Sequence, residues 1–207
     1  AVAEKGNLFF APDTYMEKIV VGPNLPDNLV DLDNDIEKNI LLLANAKKTN
    51  PEKLTVCLLE RPRHKKMIDT LKKMNVNLKM ISDGDISGAI YVVNKKSPVD
   101  MYIGIGGGPE GVLAAAALSC YGAQMQTRLV LNEDEANRAS KMGIIDLKKK
   151  YKINEMIKGD VIFCATAITN GELINGINKE SDFLITSTMA MHKSKNINKT
   201  VINKHPK

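Results

Sequence analysis

The chain has 207 residues, of which 43% are hydrophobic, and a formal net charge of +5 at pH 7. This length and apolar content allow one α/β domain with a sizeable core and exclude an intrinsically disordered chain. Aromatic residues make up 4% of the chain and provide no stacking platform, so we expect no nucleic-acid partner. No segment reaches the roughly 18 apolar residues of a membrane span, so we expect no membrane partner.

The cysteines indicate the compartment. All three lie inside apolar runs, at Cys57, Cys120 and Cys164. An odd number of cysteines in such surroundings is typical of buried free thiols in a reducing environment. We therefore expect a cytoplasmic protein.

The first eleven residues predict a β-hairpin, because two apolar runs, 1–3 and 8–11, flank turn-forming residues. The chain has no initiator methionine and starts inside the first run, so we expect the hairpin to belong to a longer protein. From Tyr15 onward apolar and polar residues alternate, which predicts a half-buried strand. Tyr15 is then either a core phenol or a hydroxyl at the rim of a site.

A helix is predicted after residue 34. Asn34 and Glu37 have the spacing of a capping box, and Ile36, Ile40 and Leu43 trace one helical stripe. The run 54–59 is continuously apolar and β-rich, which favours a strand covered on both faces.

Two arginines, Arg61 and Arg63, flank Pro62 directly after this buried strand. Open α/β sheets bind ligands at the carboxyl ends of their strands, and the planar guanidinium suits phosphate. The alternative is that both arginines are surface residues at a helix start, but cations there oppose the helix dipole. The pattern favours phosphate contact.

The next segment repeats this order of strand, polar loop and helix. A strand over 76–81 is followed by Ser82, Asp83, Gly84 and Asp85 and by a predicted helix over 86–93. Either aspartate can simply cap that helix, which is the commonest role for an aspartate there. Two carboxylates flanking a glycine at a strand end are also suited to sugar hydroxyls or a metal ion, and the sequence does not choose between these.

The stretch 99–120 predicts strand, tight glycine loop and helix. Four glycines, at 104, 106, 107 and 108, precede a strong helix former. Such a loop lets a ligand approach closely and offers free N–H groups to an anion. Glu110 beside it either accompanies a divalent cation or merely complements the helix dipole. The dinucleotide and Walker fingerprints both fail here, which disfavours a nucleotide-binding domain.

These three strand-loop-helix units converge on one site if their strands run parallel, as right-handed crossovers require. Four further features complete the prediction. They are a short strand near 128–131, an interrupted helix from Glu133 to about Tyr151, a strand near 161–165 and a terminal strand pair, 183–189 with 200–203. The three histidines are isolated and show no zinc or triad spacing.

Taken together, the chain resembles the C-terminal two-thirds of a class II fructose-1,6-bisphosphatase, a member of the lithium-sensitive sugar and inositol phosphatase superfamily. The resemblance covers nearly the whole chain and rests on ordered motifs at family-like spacing: residues 11–18, 61–64, 83–85, 104–111, 141–143 and 165–166. It implies a layered α-β-α fold with a mixed sheet and helices on both faces, the C-terminal part of an αβαβα architecture. Residues 1–30 would close a missing N-terminal domain, and 31–207 would form the substrate-binding domain.

The resemblance further implies hydrolysis of the 1-phosphate of fructose 1,6-bisphosphate in gluconeogenesis and glycerol metabolism, with Mg²⁺ or Mn²⁺, in a homo-oligomer, either dimer or tetramer. It assigns substrate contacts to Arg61, Pro62 and Arg63, sugar contacts to Asp83, Gly84 and Asp85, a substrate-loop position to Gly107 and a further substrate contact to Tyr15. Glu110 matches a metal-binding glutamate.

Two departures qualify the resemblance. Ala167 replaces a glycine expected after the Ala-Thr pair, and the Asp-Pro-[Ile/Leu]-Glu-Gly-Thr motif that binds most of the metal does not occur in these residues. We therefore expect the catalytic residues in a missing N-terminal part and this chain alone to be close to inactive. The alternative from another class is a non-catalytic sugar-phosphate-binding module.

Overall fold

A computed structural model describes all residues, 1–207, and is built on two β-sheets. The larger sheet is formed by β1 (Tyr15–Val21), β2 (Thr55–Leu59), β3 (Asn77–Ile81), β4 (Met101–Gly107), β5 (Gln124–Val130) and β6 (Tyr151–Lys152). The smaller sheet is formed by β7 (Ile162–Thr166), β8 (Asn178–Lys179), β9 (Phe183–His192) and β10 (Ile197–Pro206).

Six α-helices connect and cover these strands. They are α1 (Ile36–Ala46), α2 (Lys65–Lys73), α3 (Asp85–Tyr91), α4 (Gly108–Ser119), α5 (Glu133–Lys141) and α6 (Ile153–Met156). Short 3₁₀ turns at Pro51–Lys53 and Pro62–His64 precede β2 and α2. No helix is long and apolar enough to cross a membrane.

The larger sheet is mixed, with the strand order β3-β2-β4-β1-β5-β6. Strands β2, β3 and β4 are parallel, which confirms the expectation drawn from the three strand-loop-helix units. β1 runs antiparallel between β4 and β5, so that its first residue, Tyr15, is paired with Gly107 at the end of β4. The beginning of β1 and the carboxyl ends of the three parallel strands therefore lie at one edge of the sheet.

Alternation along β1 divides the core into two halves. Ile19 and Val21 pack on one face with Ile40 and Leu43 of α1. Val20 packs on the other face, in the cluster that contains the alanine-rich helix α4. Helices on both faces and a mixed sheet confirm the predicted α/β class.

The smaller sheet is antiparallel and adds a layer behind α4. Phe163 of β7 and Met191 of β9 are buried in the same cluster as the α4 alanines. The predicted terminal strand pair is confirmed, with β9 and β10 in register over their whole lengths. The protein is therefore layered in the order helices, larger sheet, helices and smaller sheet.

The predicted N-terminal hairpin is wrong. The turn forms, with the N–H of Asn7 bonded to the carbonyl of Glu4 at 3.0 Å. The two arms, however, pair with a later segment: Val2 with Ile162 and Leu8 with Ile157. Apolar runs on either side of a turn indicate extended chain but do not specify its partner. The assignment of residues 1–30 to a separate domain stays a prediction.

Two helix predictions also need correction. The capping box at Asn34 is absent, because Asp35 is the N-cap of α1 and makes no side-chain cap bond. The helix expected from Glu133 to about Tyr151 ends as α5 at Lys141 and does not resume, whereas the predicted interruption at Gly143, which adopts φ +89°, is confirmed. A true capping box is formed instead by Asn132 and Glu135 at the start of α5.

The cysteines divide by environment. Cys57 is buried, Cys120 is half-buried and Cys164 is exposed, so the prediction of three buried thiols is wrong for Cys164. Burial raises the pKa of Cys57 to about 12. All three are free thiols.

Gly88 in the middle of α3 provides a test of the packing. A Cβ at this position would lie 2.6 Å from Cε2 of Tyr102, whose side chain is fully buried. We expect Gly88→Ala to lower the free energy of unfolding by about 1–3 kcal/mol, because the buried ring has no room to move. This loss outweighs the helix-propensity gain of about 1 kcal/mol. Urea denaturation measures it.

The matched control is Gly171→Ala, where the nearest atom to the new Cβ is the Ile174 carbonyl oxygen at 3.8 Å. This variant should change stability by less than about 0.5 kcal/mol. An equal effect of both substitutions would contradict the packing argument.

Candidate active site

The candidate site lies at the sheet edge where β2, β3 and β4 end. Each strand is followed at once by one of the predicted segments: Arg61–Arg63 after β2, Asp83–Asp85 after β3 and Gly107–Glu110 after β4. Parallel strands that share a sheet deliver their carboxyl ends to the same edge. Tyr15 joins them from the start of β1.

The two arginines are held by different partners. Arg61 lies 3.9 Å from Asp83, from its Nη2 to the Oδ1 of the carboxylate. Arg63 donates from Nε and Nη2 to the carbonyl oxygen of Ile105 at 2.9 and 2.6 Å. Its guanidinium carbon stands 4.8 Å from the centre of the Tyr15 ring, a cation–π distance. The segments after β2 and β3 and the start of β1 are thus joined by charged contacts.

His64 lies in the interior beside Arg63 and bonds to the backbone of both β2 and β4. Its ring is fully buried; Nδ1 lies 2.7 Å from the Leu59 carbonyl oxygen, and Nε2 accepts the Ile105 N–H at 2.8 Å. An acceptor role for Nε2 places the proton on Nδ1, so the ring is neutral. Burial lowers the pKa of His64, and the nearby Arg63 lowers it further, against the opposing effect of its backbone hydrogen bonds.

The two aspartates have opposite environments. The Asp83 carboxylate is 94% exposed and accepts the N–H of Gly84 at 2.9 Å. Asp85 is buried, and its two oxygens contact the Lys18 ammonium and the Tyr102 hydroxyl. Neither side chain caps α3, whose N-cap is Gly84 with φ +93°. The simple capping interpretation of these aspartates is therefore wrong.

Lys18 joins the second and third segments. Its Nζ contacts Asp85 and donates to the carbonyl oxygen of Gly107 at 2.9 Å. The side chain is 1% exposed. Burial lowers the pKa of Lys18, because desolvation disfavours the ammonium, although Asp85 and Glu110 oppose this.

The glycines do not form the expected open loop. β4 continues through Gly107, and α4 begins at the next residue. A Cβ at Gly106 would overlap the Asp85 carboxylate, and one at Gly107 would overlap the carboxylate of Glu110. A side chain at either position would take the space of a carboxylate, so these two glycines make room for acidic groups. The substrate contact expected at Gly107 stays a prediction.

The amide donors at the start of α4 are mostly engaged. Gly108 donates its N–H to the Thr14 carbonyl oxygen at 2.7 Å, and Pro109 has no N–H. Glu110 carries the remaining first-turn donor and holds its exposed carboxylate above Gly107. The Glu110 carboxylate therefore lies at the N-terminus of α4.

The assembled site is an open surface. Tyr15 is 51% exposed, and Arg63, Asp83 and Glu110 are exposed. A cleft of about 270 Å³ adjoins this surface and is lined in part by Ile86 and Ser87 of α3. A cleft of about 380 Å³ lies elsewhere, and a third of about 140 Å³ borders Lys18. No three His, Cys, Asp or Glu side chains are grouped as they would be to hold a metal ion.

Three residues of the site, Lys18, Tyr102 and His64, were not predicted from the sequence. For Lys18 a signal existed: it shares the phase of Met16 and Val20, which are both buried, so its side chain points inward. A lysine at a core-facing strand position needs a partner. The contacts of Tyr102 and His64 depend on distant segments and leave no local pattern.

Comparison with known proteins gives consistent results. The sequence profile of the family described as "Bacterial fructose-1,6-bisphosphatase, glpX-encoded" matches residues 1–205. The chain is 33% identical to "Fructose-1,6-bisphosphatase class 2" of Haemophilus influenzae, covering 96% of this chain and 64% of that protein.

Two cyanobacterial proteins, from Synechocystis sp. and Trichodesmium erythraeum, carry the name "D-fructose 1,6-bisphosphatase class 2/sedoheptulose 1,7-bisphosphatase". Each is 34% identical over 86% of this chain and 55% of its own length. The chain thus spans 55% to 64% of the length of these relatives.

His64 predicts a pH dependence of stability. Its pKa is lowered in the folded protein, so the unfolded chain takes up the proton first as the pH falls through about 6.5. We expect the free energy of unfolding to decrease below that pH, by at most about 1.4 kcal/mol per pH unit for this one proton. Urea denaturation at pH 7.0 and 5.5 measures the loss.

His64→Gln should remove this part of the pH dependence, even though the variant is less stable at pH 7. His205→Gln is the control, because that ring is exposed and is hydrogen-bonded to the Thr186 hydroxyl at the protein surface. If His64→Gln and the unaltered chain lose equal stability between the two pH values, His64 is not the group responsible.

Proposed function

Because the chain belongs to the glpX-encoded bacterial fructose-1,6-bisphosphatase family, we propose that the protein hydrolyses the 1-phosphate of fructose 1,6-bisphosphate. The products are fructose 6-phosphate and phosphate. Within that reaction, residues 31–207 supply the surface that holds the substrate. The observation that carries the proposal is the convergence of two guanidinium groups, an exposed aspartate and an exposed glutamate at one sheet edge.

The arginines bind phosphate in this proposal. Arg61 and Arg63 lie on either side of Pro62, which starts a 3₁₀ turn and fixes the backbone between them. Arg63 is oriented by its Nε and Nη2 bonds to the Ile105 carbonyl oxygen and by the Tyr15 ring, which leaves its Nη1 group and the second Nη2 hydrogen for a dianion. Tyr15 adds an exposed hydroxyl at the same edge.

The sugar is held by the Asp83–Asp85 segment, which leads into α3. Asp83 is free to accept hydrogen bonds from sugar hydroxyls, since most of its carboxylate surface is exposed. Asp85 has both oxygens engaged, but each carboxylate oxygen accepts more than one hydrogen bond. Gly84 brings the backbone round in a left-handed conformation, and Gly107 lies at the end of the neighbouring strand.

Glu110 is the residue we assign to a metal ion. Its carboxylate lies in space that a Cβ at Gly107 would fill, so the strand end is shaped around it. Mg²⁺ is commonly held by one or two carboxylates together with substrate phosphates and water, and an exposed glutamate beside two phosphate-binding arginines fits that mode. The ion supplies neutralisation of the developing negative charge when it is bound. The choice between Mg²⁺ and Mn²⁺ stays open.

The residues of this chain act mainly by positioning. Phosphoryl transfer depends on alignment of the phosphorus and neutralisation of charge, and arginine side chains contribute to both. We assign no acid, base or nucleophile to residues 1–207. The predicted homo-oligomer and cytoplasmic location remain part of the proposal. The names of the two cyanobacterial relatives add sedoheptulose 1,7-bisphosphate as a candidate second substrate.

A non-catalytic sugar-phosphate-binding module is the second candidate. It is favoured by the fact that Glu110 is not grouped with two further potential metal ligands. The two candidates differ in one property: the module binds its ligand without regard to divalent cations, whereas the phosphatase binds it more tightly when Mn²⁺ is present.

Calorimetric titration of fructose 1,6-bisphosphate with and without Mn²⁺ tests the proposal. We expect Mn²⁺ to strengthen binding, and Glu110→Gln to abolish that effect while leaving metal-independent binding in place. Arg63→Ala should weaken binding under both conditions by at least about tenfold, since a charge-assisted bidentate contact is lost.

Glu133→Gln is the matched control, because Glu133 is an exposed glutamate in the first turn of α5, as Glu110 is in α4. Binding that is equally tight with and without Mn²⁺ in the unaltered chain would favour the binding module. No binding under either condition would refute both candidates.

Phosphate release by the 207-residue chain is a separate test. Glu110 alone cannot provide the charge neutralisation that phosphoryl transfer requires. We expect the chain by itself, with fructose 1,6-bisphosphate and Mn²⁺, to release phosphate at a small fraction of the rate of a full-length relative. Turnover equal to that of the relative would show that residues 1–207 hold the complete catalytic machinery.

A further inference from the structure

Lys18 occupies an unusual position for a charged residue. It lies in the middle of β1, between two strands, and its side chain is 1% exposed. Its ammonium contacts two segments that are far apart in the sequence: Asp85, which opens α3, and the carbonyl of Gly107, which closes β4. One buried cation therefore links the sugar-binding and metal-binding segments of the proposed site.

The surrounding glycines are fitted to this lysine and its partner. A Cβ at Gly111 would lie 2.8 Å from Cε of Lys18, and a Cβ at Gly106 would overlap the Asp85 carboxylate. Any side chain at either position would displace the ion pair. The first turns of α4 and the end of β4 thus approach Lys18 as closely as the backbone allows.

The surroundings of Lys18 act on its ammonium in opposite directions. Burial is the largest influence and lowers the pKa of Lys18, Asp85 and Glu110 oppose it by favouring the protonated form, and Arg63 adds to the lowering. The Asp85 carboxylate is also bound by the Tyr102 hydroxyl. The polar groups of this cluster are therefore satisfied by one another, and no buried side-chain polar atom in the chain lacks a partner.

Stability alone does not account for such a pair. The cost of removing two charges from water often exceeds their attraction, and apolar residues of similar volume are frequently as stable or more so. The opposite is true of geometry: a buried, fully bonded charge fixes the separation of its partners more tightly than apolar packing does. The arrangement points to a role in alignment.

We propose that Lys18 is a positioning residue that holds the Asp83–Asp85 segment at a fixed distance from the Gly107–Glu110 segment. Through these two contacts it aligns the sugar-binding carboxylates with the metal-binding glutamate. Lys18 does not touch the substrate, because its side chain is buried. The inference rests on the proposed function for the roles of the two segments, but the link between them is testable without any ligand.

The test compares Lys18→Met with Lys47→Met. Methionine keeps most of the side-chain volume and removes the charge. Lys47 is the matched control, because it is ion-paired with Asp100, whose other oxygen accepts the backbone N–H of Thr55 at 2.8 Å. Lys47 therefore also ties two segments together, but away from the candidate site.

Hydrogen–deuterium exchange is the first measurement. In Lys18→Met we expect residues 83–88 and 105–111 to exchange about tenfold faster, the effect of losing a charge-assisted hydrogen bond, while the rest of the chain changes little. In Lys47→Met the increase should be confined to the neighbourhood of Thr55 and Asp100. A uniform increase over the whole chain in Lys18→Met, or none in the two named segments, would overturn the proposal.

The double variant Lys18→Met/Asp85→Asn is included in case the single variant does not fold. It leaves no unpaired buried charge, and asparagine can still accept the Tyr102 hydroxyl. The positioning role predicts that both segments remain fast-exchanging in this variant. Protection restored to that of the unaltered chain would show that Lys18 only compensates the charge of Asp85.

Binding provides the second measurement. We expect Lys18→Met to weaken calorimetric binding of fructose 1,6-bisphosphate by about tenfold, and Lys47→Met to change it by less than about twofold. Unchanged affinity in a folded Lys18→Met chain would refute the positioning role. If the unaltered chain does not bind this ligand, the proposed function fails, whereas the exchange pattern still decides whether Lys18 holds the two segments together.

Discussion

The parallel alignment of β2, β3 and β4 is the constraint on which the candidate site depends. Each of these strands ends in a polar segment, and only a shared direction brings the three segments to one edge. The direction follows from chain connectivity, because a helix lies between successive strands and returns the chain to the start of the sheet. β1 then enters antiparallel and adds Tyr15 to the same edge.

The interior beneath this edge is polar where a simple core would be apolar. Lys18, His64 and Asp85 are buried, and each has its polar atoms bonded to groups from other segments. Desolvation of these groups costs free energy that apolar side chains would not. The sheet edge is consequently a region in which stability is exchanged for fixed geometry, as is common at functional sites.

The sequence predicted the individual strands and helices better than it predicted which segments pair with one another. Continuous apolar runs such as 54–59 identify buried strands without ambiguity, and the glycine-helix pattern after residue 104 locates β4 and α4. The partner of the first eleven residues is set by contacts with Ile157 and Ile162, about 150 positions away, which no local pattern encodes. The sequence does not show the packing role of the glycines of β4, because a glycine is compatible with either backbone freedom or space occupied by another side chain. The distinction requires the positions of Asp85 and Glu110.

Asp83 and Asp85 show why the type of a residue is a weaker guide to its role than the environment of its side chain. They lie two positions apart, yet the Asp83 carboxylate is 94% exposed and the Asp85 carboxylate 6% exposed. Gly84 in its left-handed conformation separates them, so that the first side chain points to solvent and the second to Lys18. An exposed carboxylate exchanges water for a ligand hydroxyl at little cost, whereas a buried one already has its charge neutralised. In the proposed function Asp83 therefore serves contact with the sugar alone, whereas Asp85 combines a sugar contact with its bond to Lys18, and the turn at Gly84 gives the two side chains these different surroundings.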